Sequence, residues 1–191
     1  DTPKFAGFGL SIDNATGGRM SYGATYGGKL GGFKIKSKIA HYNRSSTTNG
    51  FEKMYGGSVS VLHDSGVSVT YAYAIDTNNT QVLGGAGRAP GRRETHYGKL
   101  GYQKSLTDLG KTYMGVDFDR SFDGTANGDR ASKWGVGVVQ KLSAYGAELY
   151  AAYEHISAEL GDRTGETVSA DGRTQQLYNI NAGYFGARVK W

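Results

Sequence analysis

Apolar and polar residues alternate with a period of two along most of the chain, in about ten stretches of roughly 9–14 residues. Between Val67 and Asp76, Val67, Val69, Tyr71, Tyr73 and Ile75 fall on one face, and Ser68, Thr70, Ala72, Ala74 and Asp76 on the other. Successive side chains of a strand point to opposite sides, so the stretch predicts a strand with one apolar face and one small or polar face. The same alternation sets Phe33, Ile35 and Ile39 against Lys34, Lys36 and Lys38. It sets Met114, Val116 and Phe118 against Tyr113, Gly115, Asp117 and Asp119, and Trp134, Val136, Val138 and Leu142 against Gly135, Gly137, Val139 and Lys141. No stretch shows a competing helical period.

The connections between stretches come in two sizes. Short ones are expected at Gly27–Gly31, His63–Gly66, Leu106–Gly110 and Ser143–Gly146, each carrying glycine where a tight turn needs unusual dihedrals. Longer ones are expected at Asp13–Gly18, Asn43–Gly50, Thr77–Glu94, Asp123–Arg130 and Gly161–Thr174. Alternation of size along an up-and-down sheet gathers the short turns at one end and the long loops at the other, the arrangement of periplasmic turns and extracellular loops in a membrane barrel.

A soluble sandwich would also alternate, with its apolar faces meeting inside. Three features favour the barrel. The stretches match the ~9–11 tilted residues that cross the hydrocarbon layer better than the ~5–6 of a typical soluble strand. Aromatic residues are expected near strand ends on the apolar face, at Tyr22, Tyr26, Tyr55, Tyr71, Tyr73, Trp134, Tyr153, Phe185 and Trp191, as interfacial girdles. The polar faces carry charge in mid-strand beside glycine, which a dry core forbids and a wet lumen allows.

Composition sharpens this. The 191 residues include 31 glycines and 14 tyrosines but only 2 prolines and no cysteine, which suits paired strands and excludes a disulfide scaffold. No run of ~18 apolar residues occurs, so a helical membrane protein is excluded. A formal charge of +5 would admit anionic partners, but no block of five or six like charges exists and no nucleic-acid motif is present, so nucleic acid is not expected as a partner.

The phrase DTPKFAGFGLSID, followed by GRMSYGATYGGKLGGFKIKSKIAHY and GGSVSVLHDSGVSVTYAYA, resembles Gram-negative outer-membrane porins of the general-diffusion type. So do KWGVGVVQKLSAYGAELYAAYEH and the terminal AGYFGARVKW, in the same order. These phrases cover most of the chain outside the long loops. The resemblance implies an all-β, antiparallel up-and-down transmembrane β-barrel, a homotrimer, and a place in the outer membrane of a Gram-negative bacterium. Such porins have sixteen strands and a loop folded inward early in the chain, and a phrase like Asp1–Phe8 follows that loop. Residues 1–191 are therefore expected to form a single barrel domain matching the later ten strands, without the preceding strands and constriction loop. The alternative is a closed barrel of ten strands. The resemblance also implies that the last strand is read by the outer-membrane assembly machinery, although the family more commonly ends in phenylalanine than in a tryptophan like Trp191.

A passive pore performs no chemistry, so its working parts are lumen width and lining charge. By parity the interior should show Arg19, Lys34, Lys36, Lys38, Glu52, Asp76, Lys99, Asp117, Asp119 and Arg188, together with Asp13, Lys141, Glu148, Glu154 and Lys190. Lys34, Lys36 and Lys38 form the most specific feature, a ladder that raises local anion concentration unless acids such as Glu52 neutralise it. In the longer connections, Arg88, Arg92 and Arg93 could meet lipopolysaccharide phosphates, and solvated loop charge is the plainer reading. Asp119, Asp123 and Asp129 lack the compact spacing of a calcium loop. No metal and no cofactor are expected.

Enzymatic readings find little support. In an omptin-like surface protease, aspartate and histidine act near the extracellular rim, but the His63-Asp64 pair lies in a short turn, and adjacent Glu154 and His155 point to opposite faces. No G-x-S-x-G elbow or phosphate-binding loop is present. A small closed barrel serving as adhesin or structural anchor is the other rival, with a lumen filled by side chains.

Overall fold

The computed structural model describes residues 2–15, 19–43, 51–78, 92–124, 128–161, 175–176 and 179–189; the side chains of Ala15, Arg19, Phe51, Glu52, Asn78, Gln175 and Gln176 are outside the description. The strands are β1 (Phe8–Ala15), β2 (Arg19–Leu30), β3 (Phe33–Asn43), β4 (Phe51–His63), β5 (Val67–Asn78), β6 (Arg92–Thr107), β7 (Gly110–Phe122), β8 (Arg130–Leu142), β9 (Ala147–Leu160), β10 (Gln175–Gln176) and β11 (Ile180–Val189). Each of β1 to β9 pairs antiparallel with its neighbours in sequence, in a single sheet. Segments β10 and β11 pair one after the other along the same edge of β9, as two parts of a tenth strand. Apart from the 3₁₀ turn Ser143–Tyr145, no helix occurs among the described residues.

Register keeps one parity across the sheet. One rung runs through Gly28, Ile35, Val61, Val69, Leu100, Val116, Val136, Tyr153 and Gly183, all on one face. The adjacent rung, through Gly27, Lys36, Ser60, Thr70, Lys99, Asp117, Gly135, Glu154 and Ala182, lies on the other. A one-residue slip would exchange the faces. The two register shifts fall near strand ends, at Phe51/Lys53 and Ser105/Thr107, so the phase survives through every strand centre.

Among the described residues no second layer covers the apolar face. Val69 is 54% exposed, Val136 50% and Phe185 89%, and no large side chain among the described residues is fully buried. A sandwich would bury these residues between two sheets. An uncovered apolar face spanning the whole sheet far exceeds the few hundred Å² that a soluble surface tolerates. Several polar groups that fall on this face satisfy one another, as with the Ser132 and Ser157 hydroxyls at 2.7 Å and Thr112 donating to Gln140 Oε1 at 2.6 Å. Pairing of this kind is what a solvent without hydrogen-bonding capacity demands.

Turn chemistry accounts for the short connections. Gly66 has φ +97°, and a Cβ there would meet the Gln103 carbonyl oxygen at 2.0 Å, so only glycine fits. Three boundaries differ from the sequence expectation. Strand β2 continues through Gly27 and Gly28 to Leu30, leaving Gly31–Gly32 as the turn, because the ladder with β3 holds to the pair Leu30 and Phe33. Strand β1 runs through Asp13 to Ala15, paired with Arg19, so the connection expected to be longer is reduced to residues 16–18. Strict alternation of connection size therefore fails at this first hairpin. Arg92, Arg93 and Glu94 belong to β6 rather than to a loop, because their ladder with β5 reaches Thr77. The other residues of the long connections, Arg88 among them, lie outside the described residues.

Strands β1 and β11 do not pair with each other among the described residues, which leaves both outer edges of the ten-strand sheet without a partner there. Arginine in place of Val69 faces hydrocarbon if the apolar face meets lipid, and is expected to cost ~2–4 kcal/mol near the midplane. Arginine in place of Thr70, on the opposite face, is expected to cost far less. Urea titration of both variants folded into lipid vesicles checks the difference; equal costs would contradict it.

Candidate pore wall

All the described side chains expected to line an interior share the polar face. Lys34, Lys36, Lys38, Asp76, Lys99, Asp117, Asp119 and Arg188 are on rungs of that parity, as are Asp13, Lys141, Glu148 and Glu154. The backbone of Arg19 lies in β2 opposite Ala15, while its side chain and that of Glu52 are outside the description, as are Lys190 and Trp191.

Charge on this wall is divided. Lys34, Lys36 and Lys38 stand about 7 Å apart along β3. Their register partners are Lys29, Gly27 and Thr25 on β2 and Leu62, Ser60 and Ser58 on β4, with no acid among them. Glu52 is six residues along β4 from Ser58, a backbone distance of about 20 Å, so it cannot neutralise the ladder. Lys29 adds a fourth ammonium beside Lys34.

Acids gather on the other side of the sheet and are paired there. Lys133 lies 3.4 Å from Glu154 and 3.7 Å from Asp117, and its register partner on β7 is Asp119. Arg188 pairs with Glu148, whose side chain is nearly buried, and Arg93 donates through Nε to Asp76 at 2.9 Å. Glycine keeps this region low. Gly101, Gly115 and Gly137 share one rung and, with Gly135, floor a trough of about 760 Å³ beside Asp117, Glu154 and Tyr184. Composition-free parity identifies Lys133 and Arg93 as well as the expected residues. Lys133 lies outside the clearest apolar alternation, and Arg93 follows a long glycine-rich stretch that reads as loop.

The girdle aromatics occupy the opposite face. Tyr22, Tyr26, Tyr71, Tyr73, Trp134, Tyr153 and Phe185 all have apolar-face parity. Their position along the strands differs from expectation, since Tyr71, Tyr153 and Phe185 sit near strand middles. Strands of 12–16 residues such as β5, β6 and β9 exceed a hydrocarbon span, which moves any interface inside the strand. Three histidines join them on this face: His41 stacks on Tyr55 with ring centroids 4.4 Å apart, His96 Nδ1 is 2.9 Å from the Tyr71 hydroxyl, and His155 lies against Trp134. Glu154 and His155 do point to opposite faces, and His63 bonds Ser65 within its turn at 2.8 Å. Asp123 and Asp129 each accept a backbone N–H, from Gly128 at 2.7 Å and Gly161 at 2.8 Å.

No protein-family model matches the chain, and no curated protein sequence does. Among solved structures it is similar to OmpT, an outer membrane protein of Vibrio cholerae folded in vitro, with a TM-score of 0.60 and 13% identity. The likeness covers 99% of this chain and 62% of that one. The chain has the fold of an outer-membrane β-barrel. It spans less than two thirds of the Vibrio protein's length. In a barrel of this fold the apolar face is the outward one and the polar face the inward one.

Replacing Lys133 by glutamate brings a fourth carboxylate beside Asp117, Asp119 and Glu154. A loss of about 1 kcal/mol is expected at low ionic strength, shrinking at about 1 M salt. Denaturant midpoints at the two salt concentrations check it; a salt-independent loss would contradict the electrostatic account.

Proposed function

We propose that the chain forms part of the wall of an outer-membrane porin, a water-filled channel that passes small hydrophilic solutes and ions down their gradients with a modest preference for anions. The observation that carries this reading is the ladder of Lys34, Lys36 and Lys38 on the inward face, with no ion pair among the described residues, Gly27, Thr25, Ser60 and Ser58 beside Lys36 and Lys38, and Lys29 and Leu62 beside Lys34. Ammonium groups along a low-dielectric wall focus positive potential and raise the local concentration of anions. Side chains built to plug a lumen would be bulky and mutually packed, whereas this face mixes charge with glycine, serine and threonine between separated tyrosines such as Tyr97, Tyr113 and Tyr150.

The open edges of the sheet support a ring completed by further strands. Ten strands of the sixteen that the sequence resemblance implies is about five-eighths, close to the 62% of the Vibrio protein that the chain spans. At that strand number a barrel holds an aqueous channel. The location is the outer membrane of a Gram-negative bacterium, the assembly a homotrimer whose last strand is recognised by the insertion machinery, and no catalytic step, metal or cofactor enters the reading.

Planar-bilayer recording on the native assembly tests it. Discrete ohmic conductance is expected, and glutamate at Lys34, Lys36 and Lys38 together is expected to shift the reversal potential in a salt gradient toward cation preference. Absence of conductance would contradict the pore, and an unchanged reversal potential would remove the ladder from selectivity.

A further inference from the structure

We propose that the inward trough across β6–β9 is a binding subsite for a neutral oligosaccharide, with one sugar ring stacked on Tyr150 and the hydroxyls of a further ring held by Asp117, Glu154 and Lys133. The subsite gives the proposed channel a solute class and so rests on that reading. Binding is measured separately from conduction, so that either can fail alone.

An aromatic ledge closes the trough toward the short turns. Tyr150 has Val139 and Gly186 as its register partners. A Cβ at Gly186 would stand 2.6 Å from Tyr150 Cζ and 3.2 Å from its Cε1, so the ring lies flat across the wall in the space that this glycine leaves. One ring face is thus against backbone and the other toward the lumen, with the residue 39% exposed. Tyr113 stands on the same rung beyond Val139, but Lys141 Nζ sits 5.3 Å from its ring centroid. Tyr150 is therefore the open platform. A rigid aromatic face with its negative quadrupole takes the C–H face of a pyranose ring at little entropic cost.

A polar ledge faces it from the other side. Glu154 is four residues along β9 from Tyr150, about 13 Å. Asp117 and Glu154 lean together over Gly135, where a Cβ would lie 3.0 Å from Asp117 Oδ1 and 3.3 Å from Glu154 Cγ. Lys133 bridges them at 3.7 and 3.4 Å. Between the ledges the rung of Gly101, Gly115, Gly137 and Ala152 keeps the wall low. The two ledges are farther apart than one sugar ring reaches, which selects an oligosaccharide. A space of about 760 Å³ is within the ~300–1,000 Å³ of small-ligand sites.

Charge decides the class of solute. Lys99, Lys133 and Arg188 balance Asp117, Glu148 and Glu154, so the trough has no net charge with which to hold an ion. Carboxylates already satisfied in charge still have free lone pairs, and an ammonium has three N–H groups. A sugar hydroxyl donates to the former and accepts from the latter.

Titration calorimetry of the native assembly in detergent reads binding of maltotriose, and planar-bilayer current reads occlusion by the same sugar. Zwitterionic phenylalanine and a polyethylene glycol of similar mass are the comparison probes, and heat-modifiable migration checks folding of each variant. Saturable maltotriose binding is expected, with current falling at the same half-saturation and neither comparison probe binding as tightly. Tyr150→Ala is expected to weaken maltotriose about tenfold, and Glu154→Gln about threefold, while Tyr150→Phe keeps the platform and the affinity. No binding of maltotriose to the unaltered assembly, full affinity in folded Tyr150→Ala, or equal loss in Tyr150→Phe and Tyr150→Ala would overturn the proposal. Phenylalanine or the glycol binding as tightly as maltotriose would overturn the assignment to a saccharide. Maltotriose binding without any conductance would contradict the channel and leave the subsite standing.

Discussion

In hydrocarbon a backbone N–H or C=O has no partner except another backbone group, and this chain meets that constraint by pairing each strand with its neighbours in one continuous sheet. Everything else follows from how strictly the pairing holds its phase. Because neighbouring strands keep the same parity across every strand centre, a residue's odd or even place within its strand decides whether it meets lipid or the interior. A shift at mid-strand would put Lys99 or Asp117 among acyl chains. The two irregularities in the ladder sit near strand ends, where a misplaced side chain costs least.

The same phase makes the two faces chemically independent. On the outward face, apolar side chains are exposed with no covering layer among the described residues, and several polar groups there, Ser132 with Ser157 and Thr112 with Gln140, pair among themselves. On the inward face, charge is tolerated because water reaches it, and its distribution is uneven: a bare basic ladder on β3 and paired acids on β7–β9. Such separation leaves the inward face basic along β3 and charge-paired along β7–β9. Glycine contributes by removing bulk from the acidic side, where a rung of Gly101, Gly115 and Gly137 lowers the wall.

Much of this was legible in the residues. Val67, Val69, Tyr71, Tyr73 and Ile75 alone identify the outward side of β5, and the inward placement of Lys34, Asp117 and Arg188 follows from counting by twos. What counting could not supply was where strands stop. Arg92 and Arg93 read as loop residues because the stretch before them is long and glycine-rich, yet cross-strand pairing with Thr77 and Asp76 carries the ladder through them. Asp13 and Asn14 likewise carry turn-forming side chains that the pairing with β2 overrides. Alternation also says nothing of which rung meets which, so the separation of Glu52 from the lysines and the convergence of Lys133 on Asp117 and Glu154 needed the register. Local propensity was outweighed by tertiary pairing in each case.

The central claim is that the apolar face of the sheet lies against acyl chains. The natural sequence contains no cysteine, so single cysteines from Val67 to Asp76 provide a clean set of reporters. Each is labelled with a small fluorophore after folding into vesicles, and quenching by brominated acyl chains is compared with quenching by a water-soluble agent. Positions 67, 69, 71, 73 and 75 should respond to the brominated chains and the intervening positions to the aqueous quencher. Protection of the odd positions from both, as in a dry core, or loss of the two-residue period would contradict the account.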